Sequence, residues 1–176
     1  IEAARSHKHS FFYGVPGLGT VPHLAALQLE QFAKLKLEAV SYKGDPGVLA
    51  ALRSEEIELG VIATGSALTQ GFQMLAVLAP QRVHEAPGVP TATELGYPVL
   101  SQVLGGIYGA KAIPLEVREQ LQAACKATVA SSKYMSAAQR MSTNPSYGNA
   151  NNFNQAINLG SVRNHEIIRT SNLRIE

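Results

Sequence analysis

The chain has 176 residues, of which 45% are hydrophobic, enough for one α/β domain or two small lobes with a buried core. Fifteen Lys and Arg residues oppose thirteen Asp and Glu residues, and no segment concentrates the basic ones. This balance does not indicate a protein that binds nucleic acid or an anionic membrane surface. Cys125 is the single cysteine, which excludes an internal disulfide and a thiolate metal site. No apolar run approaches the ~20 residues needed to cross a bilayer.

The first pattern along the chain is a strand, a glycine-rich loop and a helix. The aromatic run FFY predicts a strand that ends at Val15, and from Thr20 the apolar residues recur at helical spacing. Thr20 is a candidate N-cap, and Pro22 falls in the first helical turn. Because a helix N-terminus presents unpaired amides and partial positive charge, the loop GVPGLGT predicts a seat for a carboxylate or a phosphate.

The same loop has a plainer interpretation, in which its glycines only make a tight strand-to-helix turn. Gly17-x-Gly19 lacks the third glycine of the dinucleotide-binding fingerprint, and no lysine stands where a phosphate-binding P-loop needs one. Both nucleotide interpretations are therefore set aside. The anion seat and the plain turn both remain open.

Strand and helix patterns continue to alternate after this helix. They are a strand at 37–42, a turn at 44–46 with a short helix after it, and near-continuous apolar runs at 57–63 and 74–79 that predict two more buried strands. The turn Thr64-Gly65-Ser66 opens the connection between the last two. Such alternation predicts an α/β fold, with a mainly parallel sheet flanked by helices and joined by right-handed crossovers.

The second half of the chain begins with a proline-rich segment at 81–98, which predicts a long surface connection with one helical turn at 91–95. An extended segment at 99–110 follows. The tail predicts a helix after Pro114, a shorter one at about 135–141 and a last one from 152 to about 169, capped by the asparagine run before it. In the first of these the apolar stripe is predicted to be core: Leu115, Val117, Leu121, Ala124 and Val129.

The order of these segments resembles one known family. The segments are YGVPGLGTVPHLA, VSYKGDPGVLAAL, IELGVIATGSAL, QGFQMLAVLAPQRVHEAPGVPTATELGYP and GGIYGAKAIPLEVREQLQAAC. Together they resemble the Bug family, the solute receptors of tripartite tricarboxylate transporters, over essentially the whole chain. The most specific matches are Val89-Pro90-Thr91 with Glu94 and Gly96, Tyr42-Lys43-Gly44, and Leu75-Ala76-Val77 with Arg82. The resemblance implies a type II periplasmic-binding-protein-like fold and a receptor that is not an enzyme and uses no cofactor or metal.

In that family two lobes close over a small organic carboxylate. The resemblance assigns residues 1–104 to the second lobe and residues 105–176 to the return segment and helical tail of an incomplete first lobe. The opening IEAAR resembles the tail of an amphipathic helix, so we expect a piece of something longer, lacking the first-lobe half and binding ligand weakly or not at all. We further expect a periplasmic location, membrane permease subunits as partners, no nucleic acid, and a homo-oligomer or rearranged packing through the exposed tail helices.

The resemblance also implies which residues bind the ligand: Gly17, Leu18, Gly19, Thr20, His23, Thr64, Gly65 and Ser66. The first four match a loop that offers amides and a hydroxyl to a carboxylate. The last three match a strand end where the family often has an acidic or amide residue, so the neutral Thr64 leaves the ligand's identity open. The sequence departs from the family at Leu104, often a tryptophan, and in the tighter Asp45-Pro46-Gly47 turn, which predicts a different cleft shape.

Other interpretations of these residues stay open at this point. His23 also fits a helix-surface or cap-supporting imidazole, and Lys43 fits a solvated turn lysine, although a strand end would aim it at the crevice. Ser66 lacks a G-x-S-x-G elbow, and Asp45 is the only aspartate, so no serine triad is indicated. The alternatives are an α/β enzyme that holds a phosphate or acyl group at the Gly17–Thr20 loop, and the ligand-sensing domain of a transcription regulator.

Overall fold

The computed structural model describes residues 1–6, 11–140, 143, 145–171 and 173. Its strands are β1 (Phe12–Val15), β2 (Glu38–Ser41) and β3 (Leu59–Gly60). Its helices are α1 (Glu2–Ser6), α2 (Val21–Ala33), α3 (Gly44–Arg53), α4 (Thr64–Thr69), α5 (Leu115–Ala130), α6 (Ser132–Arg140) and α7 (Ala150–Ser171). The chain forms two compact units: unit 1 is Ile1–Gln102 with Asn164–Glu176, and unit 2 is Val103–Arg163.

Unit 1 is built on a parallel sheet with the strand order β2-β1-β3. Tyr13 of the central strand pairs with Ala39 on one side and with Leu59 on the other. The chain steps from β1 to β2 and then back across β1 to β3. Right-handed crossovers therefore place α2 and α3 on opposite faces of the sheet. The predicted α/β fold with a parallel sheet and flanking helices is confirmed.

Each face of this sheet has its own hydrophobic cluster. The clusters are Tyr13, Val15 and Ala26 on the α2 face, and Val48, Ala51 and Ile57 on the α3 face. Because side chains alternate along a strand, Gly14 faces α3, and a Cβ placed there would lie 2.5 Å from Ile57 Cδ1 and 2.9 Å from Val48 Cγ1. A Cβ at Gly60 would likewise lie 2.9 Å from Val48 Cγ1. These two glycines allow α3 to pack closely on the sheet.

Two predicted strands differ from the structure. Of the run at 57–63, only Leu59–Gly60 joins the ladder as a strand, although the Val61 N–H also donates to the Gly14 carbonyl at 3.0 Å. The strand predicted at 74–79 is wrong, because Val77 makes only an isolated bridge with Thr91. The Val77 N–H donates to the Pro90 carbonyl at 2.9 Å, and Pro90 has no N–H with which to extend a ladder.

The connection at 81–98 is held by one ion pair and the hydrogen bonds around it. Arg82 Nε donates to both carboxylate oxygens of Glu94, at 3.1 and 2.9 Å, while the Thr91 N–H donates to Glu94 Oε2 at 2.8 Å. The Thr91 amide first, and then Arg82, hold the pKa of Glu94 below its usual value. The Leu95 N–H donates to the Thr91 carbonyl at 3.3 Å, so the turn predicted at 91–95 is present.

The helices predicted in the tail are confirmed as α5, α6 and α7, with small shifts at their ends. The predicted asparagine cap of the last helix is also present, because Asn149 Oδ1 accepts a hydrogen bond from the Asn152 N–H at 3.0 Å. The prediction that the apolar stripe of α5 is core is wrong. No residue of α5 is buried, and Leu115 and Leu121 are 57% and 43% exposed, because the described residues of unit 2 leave this stripe uncovered.

Candidate functional site

The connections that follow the three strands lie at one edge of the sheet, because parallel strands end on the same side. The end of β1 and the connection after it are tied to the connection after β2 by two backbone hydrogen bonds. The Tyr42 N–H donates to the Val15 carbonyl at 2.9 Å, and the Gly44 N–H donates to the Pro16 carbonyl at 3.3 Å. We call this side of unit 1 the carboxyl edge.

The strand order changes direction at β1, between its neighbours β2 and β3. In open α/β sheets, ligands bind outside the carboxyl ends of the strands at such a reversal. The residues predicted to bind ligand lie in the connection after β1, Gly17 to Thr20, and in the first turn of α4 after β3, Thr64 to Ser66. The topology thus brings two separate parts of the sequence to the same edge of the sheet.

The loop after β1 is shaped by its glycines and by Thr20. Gly17 and Gly19 have φ values of +154° and +72°, which favour glycine. The helix begins directly after Thr20, as predicted, but the Thr20 side chain makes no cap hydrogen bond. Its Oγ1 donates to the Gly17 carbonyl at 2.7 Å instead. The hydroxyl therefore closes the loop and is not free to donate to a ligand.

His23 lies beneath this loop. Its side chain is only 2% exposed, and its Nδ1 accepts a hydrogen bond from the Gly19 N–H at 2.9 Å. Burial lowers the pKa of His23, and an accepting Nδ1 places the proton of the neutral ring on Nε2. The cap-supporting interpretation of His23 is confirmed, and the helix-surface interpretation is wrong. The Gly19 N–H is therefore not among the unpaired amides that the sequence predicts for this loop.

Other amides of the loop and helix start are uncommitted. The N–H groups of Leu18, Thr20 and Val21 donate to no acceptor among the residues that the structure describes. They stand at the N-terminus of α2, a helix of 13 residues, where the helix dipole favours negative charge. Chemically, this loop can hold an anion by its backbone.

The carboxyl edge also contains a residue that the sequence analysis did not assign to the site. Asp45, in the first turn of α3, accepts a hydrogen bond from Ser66 Oγ at 2.6 Å and one from the Ala63 N–H at 3.3 Å, both at its Oδ2. The available signal was that Asp45 is the only aspartate and follows the family-like Tyr42-Lys43-Gly44 turn. Lys43 itself is exposed.

Two properties of the described residues bear on other functions. No group of three or more His, Cys, Asp or Glu side chains among them is placed to hold a metal ion. None of the helices in that part of the chain combines the length and the apolar character needed to span a membrane.

Comparison with known families bears on the classes of protein that the sequence left open. A profile described as "Tripartite tricarboxylate transporter family receptor" matches residues 1–173. The chain belongs to this family. Because the family consists of solute-binding receptors and not enzymes, the enzyme alternative raised by the sequence is dropped, and the Bug-family resemblance is confirmed.

Individual relatives agree with this assignment. The chain is 31% identical over 88 residues to a protein of the UPF0065 group from Bordetella pertussis, and the match covers 48% of this chain and 27% of that protein. A TctC solute-binding protein from Polaromonas, solved without ligand, superposes with a TM-score of 0.83 at 22% identity, over 97% of this chain and 60% of that one.

Two further solved structures carry ligands. R. palustris Rpa4515 with adipate gives a TM-score of 0.79 at 23% identity, over 97% of this chain and 59% of that one. MatC (Rpa3494) from Rhodopseudomonas palustris with bound malate gives a TM-score of 0.62 at 20% identity, over 96% of this chain and 58% of that one. These likenesses show a shared fold. The chain spans about three fifths of the length of these solved structures.

Proposed function

We propose that this receptor chain binds a small organic carboxylate at the carboxyl edge of unit 1, with the acid group on the loop after β1. The observation that carries the proposal is the set of uncommitted N–H groups of Leu18, Thr20 and Val21 at a reversal of strand order. A carboxylate there receives charge-assisted hydrogen bonds, which are stronger than those between neutral groups. In this proposal Gly17 and Gly19 shape the loop, and His23 holds it through the Gly19 amide.

The proposal also covers the rest of the predicted site, the cellular location and the protein partners. Thr64, Gly65 and Ser66 line the opposite side of the crevice and face the distal part of the ligand. The relatives solved with adipate and with malate support a carboxylate as the class of ligand. The family description supports a receptor that works outside the cytoplasmic membrane, in the periplasm, and delivers its ligand to the permease subunits of a tripartite transporter.

Two substitutions at one position test the seat. Thr20 has φ −72° and ψ 163°, which proline adopts, so Thr20→Pro removes the N–H while keeping the backbone conformation. Thr20→Ala is the matched control, because both variants lose the hydroxyl bond to Gly17. Since a hydrogen bond to a charged group contributes about 1.5–3 kcal/mol, we expect Thr20→Pro to bind adipate or malate about tenfold more weakly than Thr20→Ala.

The readout is titration of the ¹⁵N-labelled chain with each acid, which detects weak binding as well as strong. We expect the amide signals of Leu18, Thr20 and Val21 to move with added ligand. If no carboxylate moves these signals, or if Thr20→Pro and Thr20→Ala bind equally, the loop is a plain turn.

We also propose that the tail helices associate with a second copy of the chain. The exposed apolar residues of α5, Leu115, Val117 and Leu121, support this, because monomeric proteins rarely leave such stripes uncovered. Sedimentation velocity is expected to show a concentration-dependent dimer that Leu115→Glu with Leu121→Glu reduces to a monomer. A wild-type chain that remains monomeric at high micromolar concentration would refute the association.

A further inference from the structure

The segment at residues 103–109 is extended, and its backbone has no hydrogen-bond partner in the described part of the chain. Residues 100–110 contain no helix, turn or bend. The Ser101 N–H donates to the Leu78 carbonyl at 2.7 Å, but from Val103 to Gly109 neither the N–H groups nor the carbonyls bond to any described residue. The segment therefore resembles a β-strand that has no neighbouring strand at either edge.

One face of this segment packs against helix α7. A Cβ placed at Gly106 would overlap the ring of Phe153, and the rings of Tyr108 and Phe153 have their centroids 5.7 Å apart. Because side chains two positions apart point to the same side of an extended chain, Gly106 and Tyr108 lie on the α7 side. Val103 and Ile107 point to the other side, and they are 79% and 75% exposed. The segment thus has a helix on one face and apolar side chains in solvent on the other.

The sequence of this segment lacks the residues that normally protect an exposed strand edge. Edge strands are kept from pairing with other chains by charged side chains, especially lysine, and by proline. Between Pro98 and Lys111 the chain has no charged residue and no proline. In an antiparallel pair, like charges directly opposite each other are destabilising, and here no register of residues 103–109 against themselves creates such a pair. The segment is therefore suited to pair with a copy of itself.

A second copy of the chain is the partner that these features favour. A two-fold axis places the same edge of two strands against each other, and an antiparallel pair satisfies the backbone groups along that edge. Two strands alone are marginally stable, but packing against a helix supports them, and each copy brings its own α7. Unit 2 also contains the exposed apolar stripe of α5, which is proposed above to associate with a second copy. One interface can therefore use both the stripe and the extended segment.

We propose that residues 103–109 form a β-strand that pairs antiparallel with the same residues of a second copy. This inference rests on the association through the tail helices proposed above, and it adds the backbone contact that fixes how the two copies meet. With Gly106 opposite its own copy, the two-fold axis places both α7 helices on one face of the two-stranded ribbon. The pairing uses residues of unit 2, so it is independent of the carboxylate seat in unit 1.

Hydrogen exchange of the ¹⁵N-labelled wild-type chain tests the pairing directly. In an antiparallel pair, the N–H groups of alternate residues bond to the neighbouring strand, and those between them point away from it. We expect alternate amides within 103–109 to exchange at least about tenfold more slowly at concentrations where the chain is dimeric than where it is monomeric. Simple burial of the segment under a helix would not produce this alternation.

The variant that blocks pairing is Leu104→Pro with Gly105→Pro, and the matched control is Leu104→Ala with Gly105→Ala. Both variants lose the leucine side chain and add a Cβ at Gly105, where a Cβ meets nothing within 4 Å. Adjacent prolines keep the chain extended but remove two successive N–H groups, so an amide on either edge is lost. Because the two-fold axis repeats each loss, we expect the proline variant to dimerise at least about tenfold more weakly than the control in sedimentation velocity.

The outcomes distinguish this inference from the proposals on which it rests. Alternating protection in the wild-type dimer, with weaker dimerisation of the proline variant than of its control, supports the strand pair. A dimer whose amides at 103–109 exchange as fast as in the monomer, or equal dimerisation of the two variants, overturns the pair and leaves the helix association intact. A chain that stays monomeric overturns both, while the carboxylate seat is tested separately. The wild-type exchange decides the matter even if the proline variant does not fold.

Discussion

Unit 1 and unit 2 differ in how much of their apolar surface they bury. In unit 1, Tyr13, Val15, Val48 and Val99 are almost fully buried, and the sheet is covered on both faces. In unit 2, Ala138 is the buried residue among those described, although the sequence of α5 has a regular apolar stripe. The comparison teaches that periodicity predicts which face of a helix is apolar, but not whether anything covers it.

The largest expected effect on stability comes from comparing a Leu→Ala substitution in unit 1 with a Leu→Ala substitution in unit 2. Leu24 in α2 is 5% exposed and Leu121 in α5 is 43% exposed. Leu24→Ala should destabilise unit 1 by about 2–5 kcal/mol, because it removes buried methyl groups and leaves a cavity. At concentrations where the chain is monomeric, Leu121→Ala should change stability by less than about 0.5 kcal/mol. Urea unfolding, with hydrogen exchange of β1 amides to identify unit 1, measures both. Equal losses would contradict the comparison.

A smaller effect is expected where helix α3 meets the sheet. Gly14→Ala places a Cβ 2.5 Å from Ile57 Cδ1, and relieving this overlap should cost about 1–3 kcal/mol. In unit 2, a Cβ at Gly105 meets nothing within 4 Å, so Gly105→Ala should be neutral to within about 0.5 kcal/mol. Thermal unfolding of the two variants is the measurement. An unchanged Tm for Gly14→Ala would mean that α3 packs less closely than the structure shows.

The smallest effect is a pH dependence confined to unit 1. Burial lowers the pKa of His23, so the unfolded chain takes up a proton before the folded chain does. The contribution of His23 to stability is therefore complete above about pH 6.5 and is lost as the pH falls from there towards the lowered pKa. Thermal unfolding at pH 7.5 and pH 5.5 should show a lower Tm at the acidic pH.

Glu30 has the opposite effect on stability over part of this pH range. Burial raises the pKa of Glu30, so its contribution favours the folded state as the pH falls. The effect of His23 is thus the difference between wild type and His23→Asn, whose side-chain oxygen still accepts from the Gly19 N–H. His165→Asn, at an exposed histidine, is the control and should retain the wild-type dependence. Identical dependence in all three proteins would show that His23 does not titrate in this range.

The parts of the fold and site that the sequence predicted correctly are those set by nearby residues. The order strand, glycine loop and helix at Phe12–Ala33 depends on spacings of two to four residues, and so does the Asn149 cap. The Gly19–His23 hydrogen bond has the same short spacing. A histidine in the first turn of a helix that follows a glycine loop indicates that the ring lies close to the loop. That pattern alone does not distinguish a cap-supporting His23 from one on the helix surface.

The parts that the sequence did not predict depend on distant residues. Asp45 and Ser66 are 21 positions apart and meet only because β2 and β3, the strands that precede them, end at the same edge of the sheet. The apolar run at 74–79 satisfies the local pattern of a strand, but Val77 finds its backbone partners in the proline-rich connection and not in the sheet. The pattern within a single segment of sequence does not indicate where such distant hydrogen-bond partners lie.

The hydrogen bonds inside the loop after β1 have a consequence for how fast a ligand can be captured. Thr20 bonds to Gly17, and His23 bonds to Gly19, so the loop fixes its own shape with partners three and four residues away. Its conformational entropy is lost when the chain folds and not when an anion arrives. If an anion binds there as proposed, it meets a loop that is already ordered, and association should proceed without a slow ordering step.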